Sequence, residues 1–154
     1  TPDELPADRS HLVTIRGGKP VARLTSTGTV ALTQKDIRAL QLAKAAVAAG
    51  ISCLLDEAGL SVDQIDEFVI GGAFGAHLRP AAAAAIGLIP RELLPKVRLV
   101  GNCAGAGACA ALLSHEARER MEAIARAARY VELSLDEGFS EAYIDAMEFE
   151  EAIV

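Results

Sequence analysis

Residues 68–80 read FVIGGAFGAHLRP, an apolar run that passes directly into paired glycines and then toward a proline. The β-favouring residues predict a buried strand over 67–70 that runs straight into Gly71-Gly72. Pro80 suits the first turn of a helix and Gly87 its end, so a helix is predicted over 81–86. This strand–glycine–helix unit is typical of α/β proteins.

A second unit of the same kind follows. Residues 96–100 (KVRLV) predict a strand, residues 101–107 (GNCAGAG) are a glycine-rich passage, and residues 108–114 predict a helix. Glycine lets a ligand lie against the backbone, and a helix N-terminus offers free N–H groups to an anion. Ligands in open α/β sheets bind beyond the carboxyl ends of strands. The two junctions therefore favour nucleotide binding, with plain helix packing as the alternative.

The N-terminal part predicts strands over 11–15 and 20–25, joined by a hairpin at Gly17-Gly18, and a third strand over 29–32. Thr33 and Asp36 predict the capped start of a helix over 34–58, which Gly59 ends. Its predicted inner stripe has a helical spacing of three and four, and consists of Ile37, Leu40, Lys44, Val47, Ile51, Leu54 and Ala58.

The C-terminal part predicts an amphipathic helix over 115–129, a last strand over 130–133 and a tail helix over 136–147. Phe139, Tyr143 and Met147 are one turn apart on that tail helix. They predict either core packing or a docking surface.

Composition narrows the class of protein. The chain has 154 residues, a net charge of −6 and 30 alanines, which predicts one α/β or α+β domain with a core of small residues. The acidic balance argues against nucleic acid as a partner. We find no apolar run near the roughly 20 residues of a membrane span and no signal peptide, so a cytoplasmic location is expected. Cys53, Cys103 and Cys109 lack metal-site spacing and are expected to be buried thiols.

The chain begins at Thr1 with a polar, proline-bearing stretch. We therefore expect residues 1–10 to be a linker from a missing upstream region, residues 11–149 to form the domain, and residues 150–154 to be a tail.

Three side chains near the junctions have two interpretations each. Lys44 lies on the apolar stripe with Gln41 one turn earlier. Either its ammonium reaches water past the core, or it contacts a nucleotide. Phe74 either anchors its loop or packs on an adenine ring. His77 is interpreted as a surface or capping residue rather than as a base. We find no catalytic constellation and no metal-ligand set.

The second junction also fits a rival motif. Gly105 to Ala110 match the Gly-x-Gly-x-x-Ala form of the dinucleotide fingerprint, and Glu132 follows as a ribose-binding acid would. Four residues separate Val100 from Gly105, however, where the fingerprint needs a tight turn directly after the strand. Two helices, rather than one, then precede Glu132. The match is therefore weak.

Four blocks in the same order resemble the C-terminal domain of the ATP-dependent reductive activators of corrinoid proteins, over roughly residues 30–149. They are residues 31–46 (ALTQKDIRALQLAKAA), 71–75 (GGAFG), 86–90 (IGLIP) and 101–108 (GNCAGAGA). One departure is Arg79, which precedes Pro80 where an Asp cap is expected.

The resemblance implies a fold. These activators belong to the acetate and sugar kinase, heat-shock chaperone and actin superfamily, in which two lobes close on ATP. The chain is thus expected to be one ribonuclease-H-like lobe of an actin-type or sugar-kinase-type ATPase, with a mixed sheet flanked by helices. Cofactor contacts are expected from Gln41, Lys44, Gly71, Gly72, Ala73, Phe74, Gly75, Gly101, Asn102, Gly105 and Gly107.

The resemblance also implies a function. The whole protein would use Mg-ATP to return a Co(II) corrinoid protein of a methyltransferase system to Co(I). The electron would come from a [2Fe–2S] cluster on a ferredoxin-like domain outside this chain, and a missing N-terminal lobe would complete the ATP site. This lobe by itself is expected to be inactive. The alternatives are a docking module that contacts a corrinoid protein or a second copy, and a dinucleotide-binding oxidoreductase domain.

Overall fold

The computed structural model describes residues 9–149, apart from the side chains of Phe74 and Glu137. The expected tail over 150–154 and most of the expected linker over 1–10 lie outside the described residues. The chain divides into two compact units, 1–43 and 44–154, with the boundary inside the longest helix. The elements are β1 (Val13–Arg16), β2 (Lys19–Arg23), β3 (Ala31–Thr33), α1 (Gln34–Ala58), β4 (Phe68–Gly71), α2 (Gly72–Gly75), α3 (Pro80–Ala85), β5 (Val97–Gly101), α4 (Cys103–Leu113), α5 (His115–Ala127) and α6 (Glu137–Asp145).

The first unit is built on an antiparallel three-stranded sheet in the order β1-β2-β3. The hairpin predicted at Gly17-Gly18 is confirmed, with Arg16 opposite Lys19 next to the turn. β3 pairs with the other edge of β2, with Thr33 opposite Val21. The sheet therefore leads β3 directly into α1.

The capping of α1 is as the sequence predicts. Asp36 Oδ2 accepts hydrogen bonds from the Thr33 amide, at 2.8 Å, and from the Thr33 hydroxyl, at 2.7 Å. The Thr33 hydroxyl oxygen in turn accepts from the Asp36 amide. At the other end, the amides of Gly59 and Leu60 bond back to Asp56 and Leu55. These are the two bonds of the Schellman motif, so both ends of the helix are defined locally.

The buried face of α1 differs from the predicted stripe. Leu40, Val47 and Leu54 are exposed. The helix instead buries small residues together with one lysine, namely Lys44, Ala45, Ala49, Gly50 and Cys53. Side-chain size explains the difference, because small residues let a neighbouring segment approach the helix closely: the Leu133 side chain lies against Gly50.

α1 also corrects the prediction about membrane spans. By length and composition alone it is apolar enough to cross a membrane. A single such helix is weak evidence, since core helices of water-soluble proteins pass the same test. We therefore assign no membrane role to it.

The core of the second unit combines the parallel pair β4–β5 with α3. Ala83, Ala84, Leu88 and Ile89 are buried, and half-buried apolar residues of β4, β5 and α1 pack against them, including Phe68, Val97 and Ile51. A short 3-10 segment, Arg91–Lys96, connects α3 to β5 and buries Leu93. The α/β class is therefore confirmed, with antiparallel and parallel pairings in two separate sheets.

Three predictions in the C-terminal half are corrected. α4 begins at Cys103 rather than at residue 108. Residues 130–133 form no strand; a 3-10 turn over Leu133–Leu135 follows instead. Cys103 and Cys109 are exposed, while Cys53 alone of the three is buried, and burial raises the pKa of its thiol. The tail helix is confirmed, with the Phe139 and Tyr143 rings stacked at 5.9 Å.

We expect Leu93→Ala to lower the free energy of unfolding by about 2–5 kcal/mol, since it empties a fully packed position. Leu93 is 1% exposed, whereas Leu112 is 80% exposed. Leu112→Ala is therefore the matched control and should change stability by less than about 0.5 kcal/mol. Urea unfolding of both variants measures this, and equal losses would contradict the assigned core.

The cap of α1 predicts a pH dependence. The hydrogen bonds from the Thr33 hydroxyl and amide hold the pKa of Asp36 below its ordinary value of 3.8. Because the pKa of Asp36 is lower in the folded than in the unfolded state, the ionised carboxylate stabilises the fold fully above the unfolded-state pKa. This contribution is lost as the pH falls through the folded-state pKa. Asp36→Asn should therefore flatten the loss of stability below about pH 3.8 in urea titrations. Asp66→Asn, at an exposed turn, should keep the wild-type profile.

Candidate functional site

The two glycine junctions lie at the same edge of the parallel sheet. β4 and β5 run in the same direction, with Ile70 opposite Leu99 and Gly71 opposite Gly101. A register irregularity between Ile70 and Gly71 marks the point where both strands end. α2 starts directly after Gly71. α4 starts at Cys103, with Asn102 alone between it and Gly101. The parallel pairing therefore brings the two junctions together.

Two of the glycines at this edge have a backbone that other residues rarely adopt, beside open space. Gly72 has φ +92° and Gly101 has φ +61°. A Cβ built on either residue would meet no atom within 4 Å. The positive φ accounts for glycine at these two positions. The open space beside the backbone leaves room for a ligand at the sheet edge.

Three other glycines are explained by packing. A Cβ on Gly71 would lie 2.6 Å from Cys103 Sγ, and one on Gly75 would lie 2.7 Å from Ile70 Cγ2. A Cβ on Gly105 would lie 2.8 Å from the Asn102 side-chain nitrogen. These contacts hold the two junctions and their helices together, so their glycines serve the frame of the site.

Asn102 is the N-cap of α4. Its side-chain oxygen accepts from the Gly105 amide at 3.0 Å, and Ala106 N donates to its carbonyl. Because α4 starts at Cys103, Gly105 and Gly107 lie within the helix rather than in a loop, which corrects the predicted passage. Gly107 faces Met121 of α5 at ordinary contact distance. α4, with its Asn102 cap, therefore starts at the sheet edge where β5 ends.

The first junction forms a single helical turn. The Ala76 amide donates to the Gly72 carbonyl across it, and Ala73 is exposed within it. The side chain of Phe74 lies outside the described residues, so its predicted packing on adenine stays a prediction. Arg79 occupies the N-cap of α3 and makes no capping hydrogen bond with its side chain. The departure noted in the sequence therefore leaves α3 without a side-chain cap.

Lys44 does not extend to water, which corrects one of its two interpretations. The residue is 2% exposed, and its Nζ donates to the carbonyls of Ala146, at 2.7 Å, and Glu148. The Phe149 ring lies 5.0 Å from the same nitrogen, a cation–π distance. The ammonium therefore ties the segment after α6 to α1. This structural role was not predicted, since more than 100 residues separate the partners.

Lys44 also lines a cavity of about 380 Å³ with Gly87, Ile89 and Asp145. Gln41, one turn earlier, is half-buried in the first unit, and His77 is exposed. The predicted nucleotide contact of Gln41 stays a prediction, whereas the exposure of His77 agrees with its interpretation as a surface residue. Among residues 9–149, no three His, Cys, Asp or Glu side chains are grouped to hold a metal ion.

Comparison with known proteins identifies the family. Residues 14–153 match the model of the C-terminal domain of RACo, described as the ASKHA domain. The chain belongs to this family. The resemblance found in the sequence is therefore confirmed, and so is the lobe of the actin and sugar-kinase superfamily that it implies.

The names of two similar proteins state an activity. The chain is 42% identical over 115 residues to the corrinoid activation enzyme RamQ of Eubacterium limosum, which covers 75% of this chain and 19% of RamQ. The solved structure of a reductive activator for corrinoid, iron–sulfur protein matches 90% of the chain with a TM-score of 0.77 and 31% identity. The chain spans 23% of that activator. It therefore corresponds to about a fifth of the length of these relatives.

The contacts of Lys44 predict a large effect on stability. Lys44→Ala removes a buried side chain and leaves the part-buried carbonyls of Ala146 and Glu148 without this donor, so we expect the free energy of unfolding to fall by about 1–3 kcal/mol. Lys35→Ala, at an exposed position on the same helix, is the control and should cost less than about 0.5 kcal/mol. Equal unfolding midpoints in urea for both variants would exclude the structural role.

Proposed function

We propose that this chain is the nucleotide-binding lobe of an ATP-dependent reductive activator. The complete protein would add one electron to a Co(II) corrinoid of a methyltransferase system and so return it to Co(I). The electron would come from an iron–sulfur domain outside this chain, and ATP turnover would drive the uphill transfer. Both relatives are named as corrinoid activators, which supports this role.

The observation that carries the proposal is the pair of open backbone positions at Gly72 and Gly101. They lie at the carboxyl ends of adjacent parallel strands, where α/β proteins bind ligands. In our proposal adenosine lies against this backbone. The first-turn amides of α4, fixed by the Asn102 cap, would face the negatively charged part of the ligand.

The structure supports the other predicted contact residues to different degrees. Gly71, Gly75 and Gly105 would act by holding the junctions in shape, because their surroundings leave no space for a side chain. Lys44 has the weakest support as a direct contact, since its ammonium already serves two carbonyls. We propose that it acts by positioning α1 beside the cavity that it lines. Mg²⁺ would come with the nucleotide, and most of the phosphate contacts would come from the opposite lobe.

The activity of the whole protein rests on parts outside this chain. The partner is proposed to be a corrinoid protein, and the location to be cytoplasmic. A docking module without nucleotide binding is the second candidate, supported by the largely exposed apolar side chains of Leu112, Leu113 and Ile144. Phe139, Tyr143 and Met147 are half-buried and give it less support.

Gly101→Ala tests the nucleotide site. It places a methyl group in the open space beside the strand end, so we expect Mg-ATP and ADP to bind the intact protein at least about tenfold more weakly, measured by calorimetry. Gly59→Ala is the matched control, because Gly59 has a similar φ of +65° with nothing within 4 Å of its Cβ position, but ends α1. The control should share the backbone strain and keep the affinity.

The ligand series separates the candidates. Binding of ATP or ADP that Gly101→Ala weakens and Gly59→Ala spares supports the proposal. No nucleotide binding by the intact protein would favour the docking module, and preferential binding of NAD would favour the oxidoreductase. An equal loss in both glycine variants would show that strain, and not the site, is responsible.

A further inference from the structure

The first unit contains a cleft of about 880 Å³ that the nucleotide site does not use. It lies between the β1–β2–β3 sheet and the start of α1. We call it the basic cleft, because its lining holds four cationic side chains and no acidic one: Arg16, Lys19, Lys35 and Arg38. Thr29, Thr33 and Gln34 add polar groups to the same lining.

The charge of this cleft opposes that of the chain. The net charge is −6, yet four of the 15 lysines and arginines line this one cavity. Within residues 9–149, no ion pair to an acidic side chain involves any of the four. Lys35 interacts electrostatically with Asp36, but no acidic side chain in the described part of the chain lines the cleft itself.

Two features make this arrangement unfavourable without an anion. Arg16 and Lys19 are directly opposite each other across the β1–β2 hairpin, and like charges at such a position repel. Arg16 Nη2 donates to the Gly28 carbonyl at 3.1 Å, which orients the guanidinium of this exposed residue beside the cleft. An anion between the strands and α1 would relieve this repulsion.

The acidic residue at the start of α1 does not supply that anion. Asp36 Oδ2 accepts both the amide and the hydroxyl of Thr33. The carboxylate is thus engaged in the helix cap, and Asp36 is not part of the cleft lining.

We propose that the basic cleft binds a small anion that carries two or more phosphate groups. Its volume lies in the range of about 300–1,000 Å³ that small-molecule sites occupy. Arginine guanidinium groups match phosphate oxygens in fork geometry, and lysines add point charges. An acidic protein segment would instead need a surface of roughly 800 Å² on each partner. This site shares no residue with the junctions at Gly72 and Gly101, so it does not rest on the proposed function.

Calorimetric titration of the intact protein with sodium tripolyphosphate, without divalent metal and at fixed ionic strength, tests the proposal. We expect one saturable site that Lys35→Gln/Arg38→Gln weakens at least about tenfold. The matched control is Arg120→Gln/Arg126→Gln, which removes the same charge from α5, where both arginines pair with glutamates. The control should bind within about twofold of wild type.

Two further variants make the titration result unambiguous. Gly101→Ala should leave this site intact, so a failure of the nucleotide proposal and a failure here are distinguishable. Lys19→Gln, beside the hairpin turn, carries the test if the double variant fails to fold, with a several-fold loss expected. Equal weakening by both double variants, loss with Gly101→Ala alone, absence of saturable binding, or tighter binding of a poly-glutamate peptide would each overturn the proposal.

Discussion

The parallel pairing of β4 and β5 is the constraint on which the site depends. It puts Gly71 opposite Gly101, so that two chain reversals and two helix starts share one sheet edge. Cys103 Sγ then occupies the space that a side chain at Gly71 would need. A bulkier residue at Gly71 would push α4 away from the strand end and separate the junctions. The pairing therefore places the open backbone positions Gly72 and Gly101 at one sheet edge.

The glycines at this edge have two different physical roles. Gly71, Gly75 and Gly105 permit close contacts within the chain, whereas Gly72 and Gly101 have positive φ beside open space. In the amino-acid sequence, glycines with these two roles look the same. Only the second kind leaves room for a ligand beside the backbone, and the tertiary structure is needed to tell the two kinds apart.

Basic side chains also have two different roles in this chain. The second unit buries a lysine and satisfies it with the carbonyls of Ala146 and Glu148, which closes its C-terminal segment onto α1. The first unit lines a cleft with four cationic side chains and, among the described residues, no acidic one. In a chain of net charge −6, these are opposite uses of basic side chains. One stabilises the fold, and the other is suited to recognition.

Sequence alone determined the features that depend on neighbouring residues. The hairpin at Gly17-Gly18, the Thr33–Asp36 cap, the full extent of α1 and the family blocks could all be predicted, because each is set by local turn chemistry, capping or an ordered motif. Only the tertiary structure decided the buried face of α1, the partners of Lys44, the early start of α4 and the basic cleft. These depend on which distant segments pack together, and that packing overrides the period and spacing that a sequence displays.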